Sequence, residues 1–512
     1  MSKAKDWCKA MFILPLTAGN FKKEMHYNYI SHDGSIAGLI MLTSLVVILA
    51  EIMYICNSYQ QKSKTAPDIS RPLLILLSCL GIVSCISVGI REHIRKRCIL
   101  DIESHDKSKS LKLKFLCLFF LGCVVYRILK IAALIKCKVY VRINDSLGVA
   151  ILYDISCLLF YLVQTCFIYH FCKYTFVKSL FTFYALIIIV ATNISSWTYK
   201  ATWEHDLSTD SAENTTYRCS ESNSSFSIIQ LFQNARPFTE PMLAEYPLLS
   251  LIFLSGIWPK TSNEQRNKEE DSNESFEASE MTTLLKSQSS ISCRSDADAR
   301  RIGATLCIVL ISGMVCLPVL VIHVLRINGN LGNDFFWISF AITTILEHVI
   351  LLLALVICFH AVQHQCRPCK EKTSFEIGTV LFILSFIITT GYFTLHLMTQ
   401  LRPYRSLLIT TDIFTIIVMY LQTVYILQMT KYTITSSRSR FLSVHYTCLL
   451  IGLINFGYWI SDTFLVAPYI YKFRGSAYYS EIHIENTEIF WFPFVIFYRF
   501  ECFMCFYSLY RS

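Results

Sequence analysis

The chain carries one polar pattern twice, in two apolar segments that lie about 260 residues apart. Residues 154–168 read DISCLLFYLVQTCFI, and residues 412–426 read DIFTIIVMYLQTVYI. In each segment an Asp-Ile pair is followed, after eight residues, by a Gln-Thr pair. Polar groups inside hydrocarbon are costly unless they have a partner or face a polar cavity. Because these costly polar residues occur twice, in the same order, the sequence indicates a duplicated membrane module with a polar site in each half.

An asparagine and a tryptophan four residues apart follow each copy of the pattern. They are Asn193 and Trp197 after the first copy, and Asn455 and Trp459 after the second. The repeated amides indicate movement of a small polar species or an ion across a membrane.

The composition predicts the class of protein. Hydrophobic residues make up 54% and charged residues 16% of the 512 residues, and the mean hydropathy is +0.45. Soluble domains have about 25% charged residues, and apolar runs of about 20 residues are typical of spanning helices. We predict an all-α polytopic membrane protein with twelve transmembrane helices in two pseudo-symmetric six-helix halves. The predicted spans are 35–56, 72–90, 115–135, 151–171, 180–199, 241–258, 302–325, 335–359, 375–398, 406–429, 444–466 and 489–507.

Charge and linker composition predict the organisation of the chain. Lys and Arg are concentrated on the side of the membrane that carries both termini, which indicates cytoplasmic termini. No cleavable signal peptide is expected. The segment before the last six spans is rich in Ser, Glu, Asp and Lys and is expected to be disordered. The predicted divisions are a cytoplasmic segment at 1–32, six-helix halves at 33–259 and 301–512, and a cytoplasmic linker at 260–300.

Some function classes are not expected. The sequence has no nucleotide-binding loop, catalytic-triad pattern or cofactor motif, so neither an enzyme nor a cofactor is predicted. No basic patch lies on a soluble domain, so nucleic acid is not an expected partner. Asn214 and Asn223 lie in sequons of a predicted outer loop and are candidate glycosylation sites.

Six motifs, in order along both halves, resemble the otopetrin family of proton-selective channels. The fourth and tenth spans resemble Q-T-x-F-[IL] and Q-T-x-[FY]-I, and the fifth and eleventh resemble A-T-N-x-x-x-W and N-x-x-x-W. The sixth span resembles E-Y-x-L followed by a distant tryptophan, here Glu245 to Leu248 and Trp258. The twelfth resembles P-x-x-I-F-[FY]-R-F-H, here from Pro493 to Phe500.

The resemblance carries implications for fold, partners and activity. It implies a homodimer in the plasma membrane, whose four halves surround a central space filled with lipid. Sterol is one of the candidate lipids. It also implies protons as the transported species, opening by extracellular acid and block by zinc, for which His205 is a candidate ligand. The family histidine after R-F is replaced here by Glu501. Histidine titrates about two pH units above glutamate, so this position is expected to respond over a different pH range. Burial and the neighbouring Arg499 act on it in opposite directions, which leaves the direction open.

Five side chains are candidates for polar constrictions. The resemblance assigns Gln164, Asn193 and Tyr246 to the first half, and the repeat adds Gln422 and Asn455 in the second. Amides and a phenol can hold water without carrying charge; the alternative is interhelical bonding that only stabilises the bundle.

Ionisable residues inside the spans are candidates for proton relay or gating. For Glu245 and Glu501, at similar places in the last span of each half, the alternative is a structural pair with Arg499 or Arg127. Arg499 is expected to fix one of these two glutamates in place. For Asp154 and Asp412 the alternative is a first-turn position favoured by the helix dipole. The remaining candidates are Asp462, Glu51, Glu347, His348, His323, His396 and His445.

Two other classes remain open. A secondary transporter also fits twelve spans in two related halves, although matched Gly or Pro breaks are few. A non-conducting receptor is compatible with the outer loop and the Ser-rich linker.

The adjacent Glu347 and His348 point to different helix faces and are not expected to act as a pair.

Overall fold

The fold consists of long helices joined by short strand pairs. A computed structural model of the chain describes residues 21–23, 30–32, 70–95, 98–100, 108–136, 147–176, 180–202, 223–258, 292–327, 333–368, 377–401, 406–430, 432–434, 444–466 and 484–511. The helices are α1 (Ser70–Arg95), α2 (Lys109–Lys136), α3 (Leu147–Phe171), α4 (Leu180–Thr202), α5 (Asn223–Ile257), α6 (Ser292–Ile327), α7 (Asn333–Gln365), α8 (Ile377–Leu401), α9 (Ser406–Met429), α10 (Val444–Ser461) and α11 (Ile484–Arg511). A π-helical segment, Asp462–Val466, continues α10.

Ten of the eleven described helices, all except α5, are long and apolar enough to cross a membrane. A helix satisfies its own backbone hydrogen bonds, which hydrocarbon cannot do, so long apolar runs fold this way. This finding confirms the predicted all-α polytopic membrane protein. The first predicted span, 35–56, lies outside the described residues. The sixth, 241–258, is helical within α5, which carries Glu240 and Glu245 and is not among the ten.

The described strands are three residues each and form antiparallel pairs. They are β1 (Phe21–Lys23) with β2 (Ile30–His32), β3 (Cys98–Leu100) with β4 (Tyr174–Phe176), and β5 (Cys366–Pro368) with β6 (Tyr432–Ile434). The second and third pairs occupy corresponding places in the chain. One strand follows α1 or α7, and its partner follows α3 or α9.

The chain divides into two compact units. The first unit comprises residues 1–104 and 115–280, and the second comprises residues 105–114 and 281–512. Helix α6 begins at Ser292, so its first nine residues lie within the stretch predicted as the linker. The division of the chain into halves and linker stays a prediction.

Helix packing inside the first unit is repeated inside the second. In the first unit, α1 packs against α3 and α4, and α5 packs against α4 and α3. In the second unit, α7 packs against α9 and α10, and α11 packs against α10 and α9. The duplication read from the sequence is therefore also present in the packing. Helix α11 is the most buried of the ten apolar helices and contacts α8, α9 and α10.

A glycine permits the close approach of three helices in the first unit. A Cβ atom on Gly81 of α1 would lie 2.6 Å from Phe160 Cε2 on α3 and 3.2 Å from Thr192 Oγ1 on α4. Thr192 Oγ1 is also 3.1 Å from the Leu77 carbonyl oxygen of α1. A larger residue at position 81 would therefore separate helices that the polar residues of this unit need to be close.

We predict that Gly81→Leu destabilises the protein by about 1–3 kcal/mol, the usual cost of overfilling a packed interior. The matched control is Gly313→Leu on α6, where an added Cβ would meet no atom within 4 Å. Thermal unfolding of both purified variants in detergent measures the difference. Equal losses of stability would contradict the close three-helix contact.

Candidate functional site

A tyrosine hydroxyl joins α5 to α3 in the first unit. The Tyr246 hydroxyl oxygen lies 2.8 Å from Thr165 Oγ1 and donates to the Tyr161 carbonyl oxygen at 2.9 Å. Thr165 Oγ1 also lies 2.7 Å from that carbonyl oxygen. Three oxygens are thus in mutual contact, while only two hydroxyl protons are available to join them. The hydroxyls can therefore rotate between alternative hydrogen-bond patterns without breaking the cluster.

The second unit contains the same arrangement. The Tyr498 hydroxyl oxygen on α11 lies 2.9 Å from Thr423 Oγ1 on α9 and donates to the Met419 carbonyl oxygen at 2.9 Å. Tyr498 is thus the counterpart of Tyr246. The sequence analysis predicted Tyr246 for the first half but no tyrosine for the second. The position of Tyr498 could have indicated this role. Tyr498 lies in the last span of its half, 75 residues after Thr423, and Tyr246 lies in the last span of the other half, 81 residues after Thr165.

The glutamine beside each threonine is fully buried. Gln164 and Gln422 are both 0% exposed, and neither amide oxygen nor nitrogen has a hydrogen-bond partner among the described residues. An unsatisfied buried polar group costs about 1–3 kcal/mol. Buried amides in proteins are commonly bridged by ordered water. The two glutamines therefore offer four hydrogen-bonding atoms beside the tyrosine clusters.

The two asparagines make identical local bonds. Asn193 Nδ2 donates to the Ile189 carbonyl oxygen, and Asn455 Nδ2 donates to the Ile451 carbonyl oxygen, each at 2.9 Å. Both side chains are 0% exposed, and neither Oδ1 has a partner in the part of the chain that is described. No described hydrogen bond joins Asn193 to Gln164 or Tyr246, so the described hydrogen bonds of Tyr246 are with Thr165 and the Tyr161 carbonyl oxygen and not with the asparagine.

The two aspartates have different partners. Asp154 accepts a hydrogen bond from Arg127 Nη1 and lies 3.5 Å from Lys130 Nζ, both on α2. Asp412 Oδ2 lies 2.8 Å from His396 Nδ1 on α8. Asp154 is the eighth residue of α3 and Asp412 the seventh of α9, so neither lies in the first turn. The helix-dipole alternative is therefore wrong for both, and each carboxylate has side-chain partners instead.

Arg499 lies in a buried ionisable cluster of the second unit. Its guanidinium carbon is 4.6 Å from the centre of the Tyr458 ring, and it interacts electrostatically with Glu347 and Asp462. The described partners of Arg499 lie on α7, on α10 and on the π-helical segment after α10, so the expected contact with Glu501 is not among them. The expected contact with Glu245 stays a prediction. Glu501 instead lies 3.2 Å from Lys112 Nζ, both of them buried in the second unit.

Glu347 and His348, which are not expected to act as a pair, both contact Tyr458. The Tyr458 hydroxyl oxygen is 3.3 Å from His348 Nδ1 and lies beside the Glu347 carboxyl. His348 Nδ1 is 2.7 Å from the Thr344 carbonyl oxygen, and its Nε2 is 3.2 Å from Thr415 Oγ1. A carbonyl oxygen only accepts, so the neutral ring carries its proton on Nδ1 and can accept at Nε2.

The first unit has a serine and a cysteine at the helix contact where the second unit has His348 and Thr415. Cys157 and Thr415 each follow the repeated aspartate by three residues. Ser78 Oγ lies 3.9 Å from Cys157 Sγ at the α1–α3 contact. The α1–α3 contact thus joins a hydroxyl to a thiol, whereas the corresponding α7–α9 contact joins an imidazole to a hydroxyl.

The two membrane glutamates are not at equivalent positions. Glu245 directly precedes Tyr246, whereas Glu501 follows Tyr498 by three residues. Relative to the paired tyrosines they are one helical turn apart. Both glutamates are buried.

Three other predicted residues lie outside the described part of the chain: the glycosylation candidate Asn214, the zinc candidate His205 and Glu51. The second glycosylation candidate, Asn223, begins α5.

The ten apolar helices define a polytopic membrane protein, and the described buried polar groups are repeated in its two units. Residues 200–500 match the otopetrin family model. This match covers more than half of the chain, and the chain belongs to the otopetrin family. No curated protein matches it. Family membership and architecture support an ion-channel role and suggest that the protein is not an enzyme.

We predict that Arg127→Met destabilises the protein by about 3–5 kcal/mol, because it leaves Asp154 charged and without its closest cation. Lys130→Met is the matched control: its side chain is more exposed and its contact longer, so it should cost less than about 1 kcal/mol. Thermal unfolding of the purified variants measures both. Adding Asp154→Leu to Arg127→Met should restore most of the loss, and no recovery would contradict the pairing.

Proposed function

We propose that this otopetrin-family protein is a proton-selective channel of the plasma membrane that extracellular acid opens. The observation that carries the proposal is the duplicated contact of a tyrosine, a threonine and a carbonyl oxygen beside a fully buried glutamine. The same chemistry stands in both units although the surrounding apolar residues differ.

Hydroxyl groups suit proton transfer because each can accept one proton while releasing another. In the first unit, a proton arriving at Thr165 or Tyr246 displaces the hydroxyl proton on the far side, and rotation restores the starting pattern. Gln164 and Asn193 supply hydrogen-bond acceptors and donors for the water molecules that lead to this point. No side chain of the constriction needs to hold a charge.

The constriction also explains selectivity within this proposal. A metal cation would have to lose its water and find several oxygens to replace it. The clustered oxygens of Thr165, Tyr161 and Tyr246 are already bonded to one another. A proton needs only one lone pair at a time, so it can pass where a dehydrated ion cannot.

The second unit offers a further set of proton carriers. Thr415, His348 and Tyr458 form a chain of contacts at 3.2 and 3.3 Å that ends beside Glu347. Arg499 adds a fixed positive charge to this cluster, which stabilises the carboxylates after they release their protons. We infer that Glu347 and Asp462 exchange protons here, with Arg499 holding them in place and Glu245 and Glu501 acting as additional relays.

Other features of the proposal concern the whole protein. Cytoplasmic termini, a homodimer with lipid between the halves, and glycosylation of Asn214 and Asn223 are part of it. They rest on the family resemblance, the distribution of Lys and Arg and the sequons.

The glutamines test the proposal directly. Purified protein in vesicles with an internal pH-sensitive dye should acidify the lumen when the outside is acidified and a potassium ionophore balances charge. Gln164→Leu and Gln422→Leu should each lower this flux to about half, because parallel routes add, and the double variant should abolish it. Leucine has a similar size but no hydrogen-bonding atom.

The matched control is Tyr420→Leu, which alters an exposed side chain on the same helix as Gln422. It should leave the flux unchanged. Full flux through the double variant would contradict the proposed constriction. Acidification that needs an added solute would favour a transporter, and no flux despite correct folding would favour a receptor.

A further inference from the structure

The aspartate of the repeated pattern has basic partners of different kinds in the two units. Asp154 is paired with Arg127 and Lys130, whereas Asp412 lies 2.8 Å from His396. Arginine stays charged at every physiological pH. Histidine is the side chain that changes charge between about pH 5 and 8.

Arg127 and His396 occupy corresponding positions. Each follows a glycine by five residues, Gly122 on α2 and Gly391 on α8. A Cβ on Gly122 would collide with Met242 of α5, and one on Gly391 would lie 2.8 Å from Trp491 Cζ3 of α11. Both glycines thus bring their helix against the last helix of the unit. The replacement of arginine by histidine is therefore a difference at one position of the duplicated module.

We propose that His396 and Asp412 form a proton-binding site that makes the acid response a property of the second unit. This inference rests on the proposed function for its effect on current. In the proposed orientation, His396 near the end of α8 and Asp412 near the start of α9 flank an outer loop, so external protons reach them first. The His396 side chain is 24% exposed, which permits this access.

Binding of a proton strengthens the α8–α9 contact. At neutral pH an uncharged ring donates one hydrogen bond to the Asp412 carboxylate. In acid, the ring becomes a cation and the same contact becomes an ion pair with a charge-assisted hydrogen bond. The added stability is therefore present in acid and is lost as pH rises. In the first unit the corresponding contact is an ion pair throughout.

Next to His396 on α8 lies an aromatic ring that itself packs against a ring of α11. The Tyr392 ring stacks on the His396 ring at 6.5 Å between centres, and Phe492 of α11 packs against Tyr392. On the elements packed against α8 and α9, the described ionisable groups of the interior include Glu347, His348 and Cys358 on α7 and Tyr498, Arg499, Glu501 and Cys502 on α11. Their described contacts include Tyr458, Thr415, Thr423, Met419, Asp462 and Lys112.

Two substitutions of His396 separate charge from hydrogen bonding. His396→Gln keeps an N–H donor but never becomes a cation, while His396→Arg installs the residue of the first unit and is always charged. Acid-evoked current should be lost in His396→Gln, because glutamine cannot take up a proton. In His396→Arg current should already flow at neutral pH and change little on acidification, because the charge is permanent. His323→Gln is the matched control, because His323 packs against the Phe336 and Phe340 rings on α7.

A second measurement does not depend on current. The thermal midpoint of the purified protein should exceed that of His396→Gln by more at about pH 5.5 than at about pH 7.5, on either side of the change in histidine charge. His396→Arg should remove this pH dependence. If the unaltered protein carries no proton current, the proposed function fails and the thermal midpoints alone decide this inference. Unchanged acid dependence and equal pH profiles in all variants would overturn the proton-binding site.

Discussion

The Tyr246 and Tyr498 hydroxyls show the constraint on which the structure depends: a polar group inside hydrocarbon has to find its partners within the protein. Each tyrosine bonds a threonine side chain and a backbone carbonyl oxygen on a neighbouring helix. These bonds fix the last helix of each unit against the helix that carries the Gln-Thr pair. The close approach at Gly81 brings α1 against α3, the helix that Tyr246 also contacts. The strand pairs join the ends of α1 and α3 and the ends of α7 and α9.

The same constraint gives the two units different chemistry. In the first, Asp154 is balanced by permanent cations, and the α1–α3 contact joins Ser78 to Cys157. In the second, Asp412 meets a histidine, and the corresponding contact joins His348 to Thr415. The two units thus share the contact of a tyrosine with a threonine and differ in the groups around their aspartates. Under the proposed function, proton transfer and its regulation are divided between the two units.

The membrane class and the repeated amides could be predicted because they are properties of single segments. Long apolar runs and the spacing of Gln164 and Asn193 are visible without any knowledge of neighbours. The partner of Arg499 could not be predicted, since it depends on which faces of α7, α10 and α11 meet. Glu245 and Glu501 looked equivalent because both lie in a last span, but the paired tyrosines set the register one turn apart.

The central claim is that the protein selects protons, and whole-cell voltage clamp under stepped extracellular acid tests it most directly. The account predicts an inward current whose reversal potential follows the proton gradient by about 59 mV per pH unit, the value for a tenfold change of a singly charged species. Replacing sodium or chloride should leave the reversal potential unchanged. A reversal potential that follows another ion, or no current from protein at the cell surface, would contradict the account.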